Sequence, residues 1–200
     1  GQAAQVLGLD RDRDVLDMAR TRIKDAGFEQ QVILAHSRFS EMKDILSGIG
    51  WPEVNGVLLD LGVSSLQLDQ GQRGFSFLDD GPLDMRMDPE EGGQSARDLV
   101  NTASQERLKH IIRDFGEEPM AGRIASRIVR ARESGPIQTT RELAGLVASA
   151  YPAKRRAKSR NHPATKTFQA LRMAVNQELE ELGHVLESIP EILSPGGRLV

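Results

Sequence analysis

The 200 residues are 38% apolar with no cysteine, which allows a sizeable core and excludes disulfides, thiolate zinc sites and cysteine nucleophiles. No apolar run is long enough for a transmembrane helix, and the opening GQAAQVLGLD lacks the basic start and apolar core of a signal peptide. The net charge of −3 conceals a split: residues 107–160 carry 13 Lys+Arg and 5 Asp+Glu, and the rest carry 13 and 24, which marks the middle segment as a polyanion-binding surface or a solvated helical one.

Gln5–Asp10 is predicted as a short buried strand. A helix follows near Val15–Ala26, capped by Asp12 or Asp14 and stopped at Gly27, with Val15, Leu16, Ala19 and Ile23 at helical spacing. Gln31–Ala35 is a second strand; Ser40 caps a short helix to about Leu46, and Val57–Asp60 is a third strand. Strand, helix, strand, helix, strand within about sixty residues predicts a parallel α/β sheet. The pattern is lost from Leu66 to about Asp98, which is rich in Gly, Asp and Pro. Long irregular stretches in compact domains are commonly functional.

Helices dominate afterwards. One starts at Thr102 or Ser104 and carries Leu108, Ile111, Ile112 and Phe115. A second spans Met120–Arg132, with Arg123, Arg127 and Arg130 opposite its apolar side. Thr139 and Glu142 form a capping box for a third, which Pro152 stops. A basic loop, AKRRAKSRNHP, leads into one long helix, roughly Ala164–Ile192, then a Gly196–Gly197 turn and a final strand. The expected architecture is a doubly wound α/β domain, residues 1–68 and 162–200, interrupted by a loop and helical domain at 69–161. Because the pattern opens and closes on incomplete units, the chain is expected to be a piece of a longer protein.

Ligands of open α/β sheets bind beyond the carboxyl ends of the strands. Asp10 ends the first strand, where its carboxylate either accepts both hydroxyls of a ribose or caps a helix. Phe39, after the second strand, packs on an adenine face or in the core. Asp60, ending the third, holds an ammonium, accepts from a substrate amine or caps a turn. These three suit a nicotinamide dinucleotide and S-adenosylmethionine equally, so a dehydrogenase stays open.

Two longer motifs are more specific. LLDLGVSSLQLDQGQRGFSFLDDGPLDMRMD (58–88) and NHPATKTFQALRMAVNQELEEL (161–182), with GLDRD before them and LSPGGRL after, closely resemble the RsmH (MraW) family over nearly the whole chain. The resemblance implies a Rossmann-like methyltransferase fold with an inserted helical domain. It also implies transfer of a methyl group from S-adenosyl-L-methionine to N4 of a cytidine in small-subunit (16S) ribosomal RNA. By position it implies donor contacts at Asp10 (ribose), Phe39 (adenine region), Asp60 and Gln67 (methionine end). The family's glycine-rich segment before residue 1 and a further segment after residue 200 are expected outside this chain, so a non-catalytic RNA-binding fragment is also an open reading.

The sulfonium methyl is already activated, so alignment and exclusion of water matter most, and no metal is needed. Asp60-Leu61-Gly62-Val63 stands where many amino-group methyltransferases have a Pro-Pro-aromatic motif. That makes Asp60 a donor ligand before a base, with a main-chain carbonyl near Leu61–Gly62 as amine acceptor and the catalytic residue unassigned. The target base has to leave its stack. Phe75 and Phe77 either stack on it or anchor their loop; Arg73 and Arg86 are candidates for phosphate or base-edge contacts, unless Asp84 simply fixes Arg86. Lys154, Arg155 and Arg156 are expected to meet RNA phosphates alongside the arginines of the 120–132 helix. His162 is either a base or a structural hydrogen-bonding residue. The expected partner is small-subunit rRNA or the small ribosomal subunit, with no membrane; a homo-oligomer is open, and the location is the cytoplasm.

Overall fold

The computed structural model describes residues 4–152 and 162–200. The chain divides into two compact units, one formed by Gly1–Gly62 with Glu178–Val200 and the other by Val63–Gln177. These boundaries differ from the 68/69 and 161/162 expected from the sequence pattern.

In the first unit every strand pairing is parallel. β1 (Val6–Asp10) pairs with β2 (Val32–His36) in register from Val6 opposite Val32 to Asp10 opposite His36. α1 (Arg13–Asp25) connects them. Its N-cap is Asp12, whose side chain accepts the Asp14 N–H at 3.1 Å, and Arg22 and Lys24 complement the negative end of its dipole. A 3-10 turn at Phe39–Glu41 runs into α2 (Met42–Gly48). β3 (Val54–Val57) pairs with β4 (Leu193–Leu199), with a register shift between Val54 and Gly56. Leu46 and Val57 pack with Val185, Ile189 and Ile192 of α9 (Glu178–Ile192) to form the core.

Three sequence expectations change here. The third strand starts three residues earlier than Val57. Backbone pairing still continues past β3, because the Leu59 N–H donates to the Val200 carbonyl at 2.9 Å, so Asp60 follows the last paired residue. Ser40 lies inside the 3-10 turn and its N–H donates to Glu181 at 3.1 Å, so it does not cap α2. Gly196 and Gly197 are inside β4 rather than ahead of it.

The second unit holds α3 (Ser65–Asp69), a 3-10 turn (Gly71–Arg73), α4 (Ala96–Thr102), α5 (Gln105–Asp114), α6 (Ala121–Arg132), α7 (Thr140–Ala150) and α8 (Thr165–Asn176). Ser64, Ser95, Ser104 and Thr139 each cap a helix by accepting a backbone N–H three residues on. The expected capping box at Thr139 is half made: Glu142 reaches the N–H of Gln138 at 2.9 Å, one residue before the cap. Leu108, Ile112, Ile124, Ile128, Leu143 and Leu171 fill the core at 0% exposure.

The Gly-Asp-Pro-rich stretch is built into this core. Leu83 and Met85 are buried, and Pro82 bridges Thr139. Gly81 passes so close to Gly71 that a Cβ there would lie 2.0 Å from the Gly71 carbonyl oxygen. The buried Asn176 clamps the stretch: its amide donates to the Met85 carbonyl at 2.7 Å and its oxygen accepts the Met87 N–H at 2.8 Å.

The long helix expected over Ala164–Ile192 is two helices. Gln177 adopts the left-handed region, φ 56°, and its N–H closes on the Met173 carbonyl. The Asn176 side chain is committed to Met85 and Met87, which fixes where α8 ends. Among the described residues no helix is long and apolar enough to cross a membrane.

Candidate functional site

The first unit contains a cavity of about 1520 Å³ lined along the full lengths of β1 and β3. Among the described residues each of these strands has a partner on one edge only. Three of the four donor-binding residues expected from sequence line it together: Asp10, Phe39 and Asp60. Gln67 does not line it and belongs to the second unit.

The β1 strand delivers Asp10 to its carboxyl end, where ligands of parallel sheets collect. The Asp10 carboxylate accepts the Asp12 N–H at 2.7 Å. Burial pushes its pKa above the ordinary carboxylate value and the Asp12 charge adds to this, against the amide hydrogen bonds from Asp12 and Arg11. Since Asp12 is the N-cap of α1, the capping alternative for Asp10 does not hold.

Phe39 opens the 3-10 turn and packs on the Leu46–Val57–Val185 core, as its core reading expects, and it also borders the cavity. Its turn is braced. The buried Ser37 hydroxyl donates to Glu41 at 2.5 Å, which lowers the Glu41 pKa, and Arg38 lies 3.7 Å from Glu181. Asp60 is exposed, followed by exposed Leu61 and by Gly62 at φ 136°. Sequence reasoning missed Trp51 and Met42, which also line the cavity. Trp51 is the only tryptophan, set between two chain breakers, Gly50 and Pro52; that placement was the available signal.

In the second unit, the Gln67 side chain is buried and accepts the Ser64 N–H at 3.0 Å, closing a capping box that starts α3. The Arg73 guanidinium donates to the Met87 carbonyl at 2.8 Å and lies 5.7 Å from the Phe75 ring centre. Phe75 is 6% exposed, in the core. Arg86 is held by Asp84. Phe77 meets Phe168 edge-on at 4.9 Å and His162 at 4.6 Å. His162 Nδ1 accepts the Ala164 N–H at 3.1 Å, a structural bond at the start of α8. Of the alternatives left open by sequence, the geometry of Phe75, Phe77 and Asp84 is that of loop anchoring. Lys154, Arg155 and Arg156 lie outside the described residues.

Comparison with known proteins agrees with the parallel α/β arrangement. The model of the MraW methylase family matches residues 1–200. The chain is 58% identical over 200 residues to the ribosomal RNA small subunit methyltransferase H of Oleidesulfovibrio alaskensis, covering all of this chain and 61% of that one. It is 56% identical to that of Nitratidesulfovibrio vulgaris strain DP4, with the same coverage. The Lawsonia intracellularis protein of the same name is 52% identical over 199 residues, 63% of its length. The chain thus spans about three fifths of the curated relatives it matches. With the family match running from end to end, the chain belongs to the MraW methylase family.

Proposed function

We propose that the full-length protein methylates the exocyclic N4 of a cytidine in small-subunit (16S) ribosomal RNA, using S-adenosyl-L-methionine. The observation that carries this is that Asp10, Phe39 and Asp60 line one cavity running along β1 and β3, in a chain whose whole length matches a methylase family. Family membership favours methyl over hydride transfer.

The residues present suit the donor. A carboxylate whose pKa is raised by burial gains from accepting two ribose hydroxyls, which fits Asp10. Phe39 and Trp51 offer apolar surface for an adenine. Asp60 supplies negative charge for an ammonium group, and Gln67 is assigned to the methionine end by resemblance alone. When bound, the cofactor supplies an electrophilic methyl on sulfur. The protein's part is to align the acceptor and keep water away. The cytosine N4 lone pair is delocalised into the ring. A main-chain carbonyl near Leu61–Gly62 accepts an N4 hydrogen, drawing the nitrogen toward tetrahedral geometry, and the proton is lost during or after transfer.

The base enters after leaving its stack. Arg73 and Arg86 are proposed to hold their own loop in shape for RNA, with Phe75 as the anchor beneath Arg73. Residues 69–161 act in this reading as an inserted helical domain for RNA, with Lys154, Arg155 and Arg156 on phosphates. The partner is rRNA or the small subunit, in the cytoplasm.

The test incubates full-length protein with the donor and small-subunit RNA, naked and assembled, and locates methyl groups by nucleoside mass spectrometry. N4-methylcytidine is expected; its absence from both substrates overturns the proposal.

A further inference from the structure

We propose that the groove between α6 and α7 is a track for consecutive RNA phosphates. It is separate from the donor cavity and reads no sequence. This deepens the RNA reading above and rests on it for the identity of the polyanion.

The groove has a volume of about 620 Å³ and lies wholly within the second unit. Arg123, Arg127 and Arg130 border it, while Gly122 and Ser126 of α6 and Leu146 of α7 contribute its small and apolar lining. The three arginines are exposed and have no hydrogen-bond or ion-pair partner among the described residues. Four other cations of this unit are engaged, whereas Arg97, Arg107 and Arg141, outside the groove, make no side-chain bond among the described residues. Arg86 holds Asp84, Arg113 holds Asp114, Arg132 donates to the Val100 carbonyl and Lys166 to the Glu117 carbonyl. Neither helix offers the groove a counter-charge: α6 contains no acid, and the one acid of α7, Glu142, is in its first turn and turned to Gln138.

Spacing identifies the ligand. Positions 123, 127 and 130 follow one helical face over roughly 10 Å, at about 1.5 Å per residue. Three guanidiniums rooted at successive turns of one face suit a run of phosphates, each able to pair with its own arginine. Gly122 and Ser126, four residues apart on that face, leave room for a backbone to come close. Among the described residues the lining has no aromatic ring to stack a base and no side-chain amide to read its edge. The contact is therefore positional, holding RNA through its backbone.

The experiment measures binding of a labelled small-subunit rRNA fragment to full-length protein across a salt series. Three variants are compared: Arg123→Gln/Arg127→Gln/Arg130→Gln, the same triple to Lys, and a control triple Arg97→Gln/Arg107→Gln/Arg141→Gln of equal charge loss. Circular dichroism and donor titration verify fold and cavity. The Gln triple is expected to lower affinity at least about tenfold and to reduce the slope of log K against log salt by about 2, at roughly 0.7–0.9 for each phosphate no longer neutralised. The Lys triple keeps most of the slope and the control loses little. Wild-type affinity and slope in the Gln triple, or an equal loss in the control, overturns the proposal. So does competition by polyglutamate as effective as by RNA. Methyl transfer with an unaffected Gln triple sinks the groove alone. RNA bound through the groove without methyl transfer sinks only the reading of the activity.

Discussion

Arg86 grips both carboxylate oxygens of Asp84, Nε to Oδ1 at 2.8 Å and Nη2 to Oδ2 at 2.7 Å. Both side chains are about a quarter exposed, so the paired, charge-assisted bonds act in a partly dry setting. Burial alone would raise the Asp84 pKa; the hydrogen bonds and charge of Arg86 outweigh it, and the net shift is downward from 3.8. A depressed folded pKa stabilises the fold above the unfolded value and loses that contribution as pH falls through the folded one. Thermal melts should therefore show stability declining below about pH 4, with a shallower decline in Asp84→Asn. Arg86→Met leaves the largely buried carboxylate with the backbone N–H of residue 86 but without its guanidinium, and should cost about 1–3 kcal/mol at neutral pH.

Asp10 titrates the other way. Its pKa is raised, so it protonates at a higher pH than a free carboxylate. Hydroxyl groups of a ribose donate best to the ionised form. Donor affinity of the full-length protein should weaken as pH is lowered through that raised value, above 3.8. Asp10→Asn should flatten the dependence and weaken binding about 10–100-fold, the range of a hydrogen bond to a charged acceptor. Calorimetric titration from about pH 3.8, the ordinary carboxylate value, up to about pH 8 reads both effects. A wild-type affinity constant across that range would remove Asp10 from the donor site.

Gly81 has no room for a side chain. An added Cβ meets the Gly71 carbonyl oxygen at 2.0 Å, and backbone cannot rotate away as a flexible side chain can. Gly81→Ala should destabilise by about 1–3 kcal/mol, seen as a lower urea midpoint with an unchanged slope. A midpoint equal to wild type would mean the two loops part readily.

The Thr167 hydroxyl is fully buried without a hydrogen-bond partner among the described residues, in the α8 face that packs into the core. Thr167→Val keeps the shape and removes an unsatisfied polar group. It should raise stability by up to about 1 kcal/mol. A loss of stability would indicate a partner such as bound water.

The sequence was most legible where one residue type does one physical job. Ser104 and Thr139 cap helices as their side chains predict, and Gly27 follows α1 at φ 74°. Asp10, Phe39 and Asp60, singled out by their places after apolar runs, line one cavity of the first unit. Three features were hidden. α4 has seven residues, too short for a periodicity, although Ser95 and Asp98 form a closed capping box at its start. The break at Gln177 is invisible because Leu171, Val175, Leu179 and Leu182 keep helical spacing across it; the cause, Asn176 reaching Met85, is a contact over 91 positions. The start of β3 is masked because Val57–Leu59 is the most apolar run, whereas the pairing with β4 begins at Val54.

The one-sided strands that line the cavity of the first unit carry a consequence for handling the chain. Among the described residues, β1 and β3 each leave a row of peptide groups without a strand partner, beside Val6 and Leu58 at 51% and 73% exposure. Such an edge is a template for any extended peptide, including another molecule of the same sequence. These 200 residues taken alone should self-associate as concentration rises, through backbone pairing rather than charge, so added salt should not disperse the aggregates.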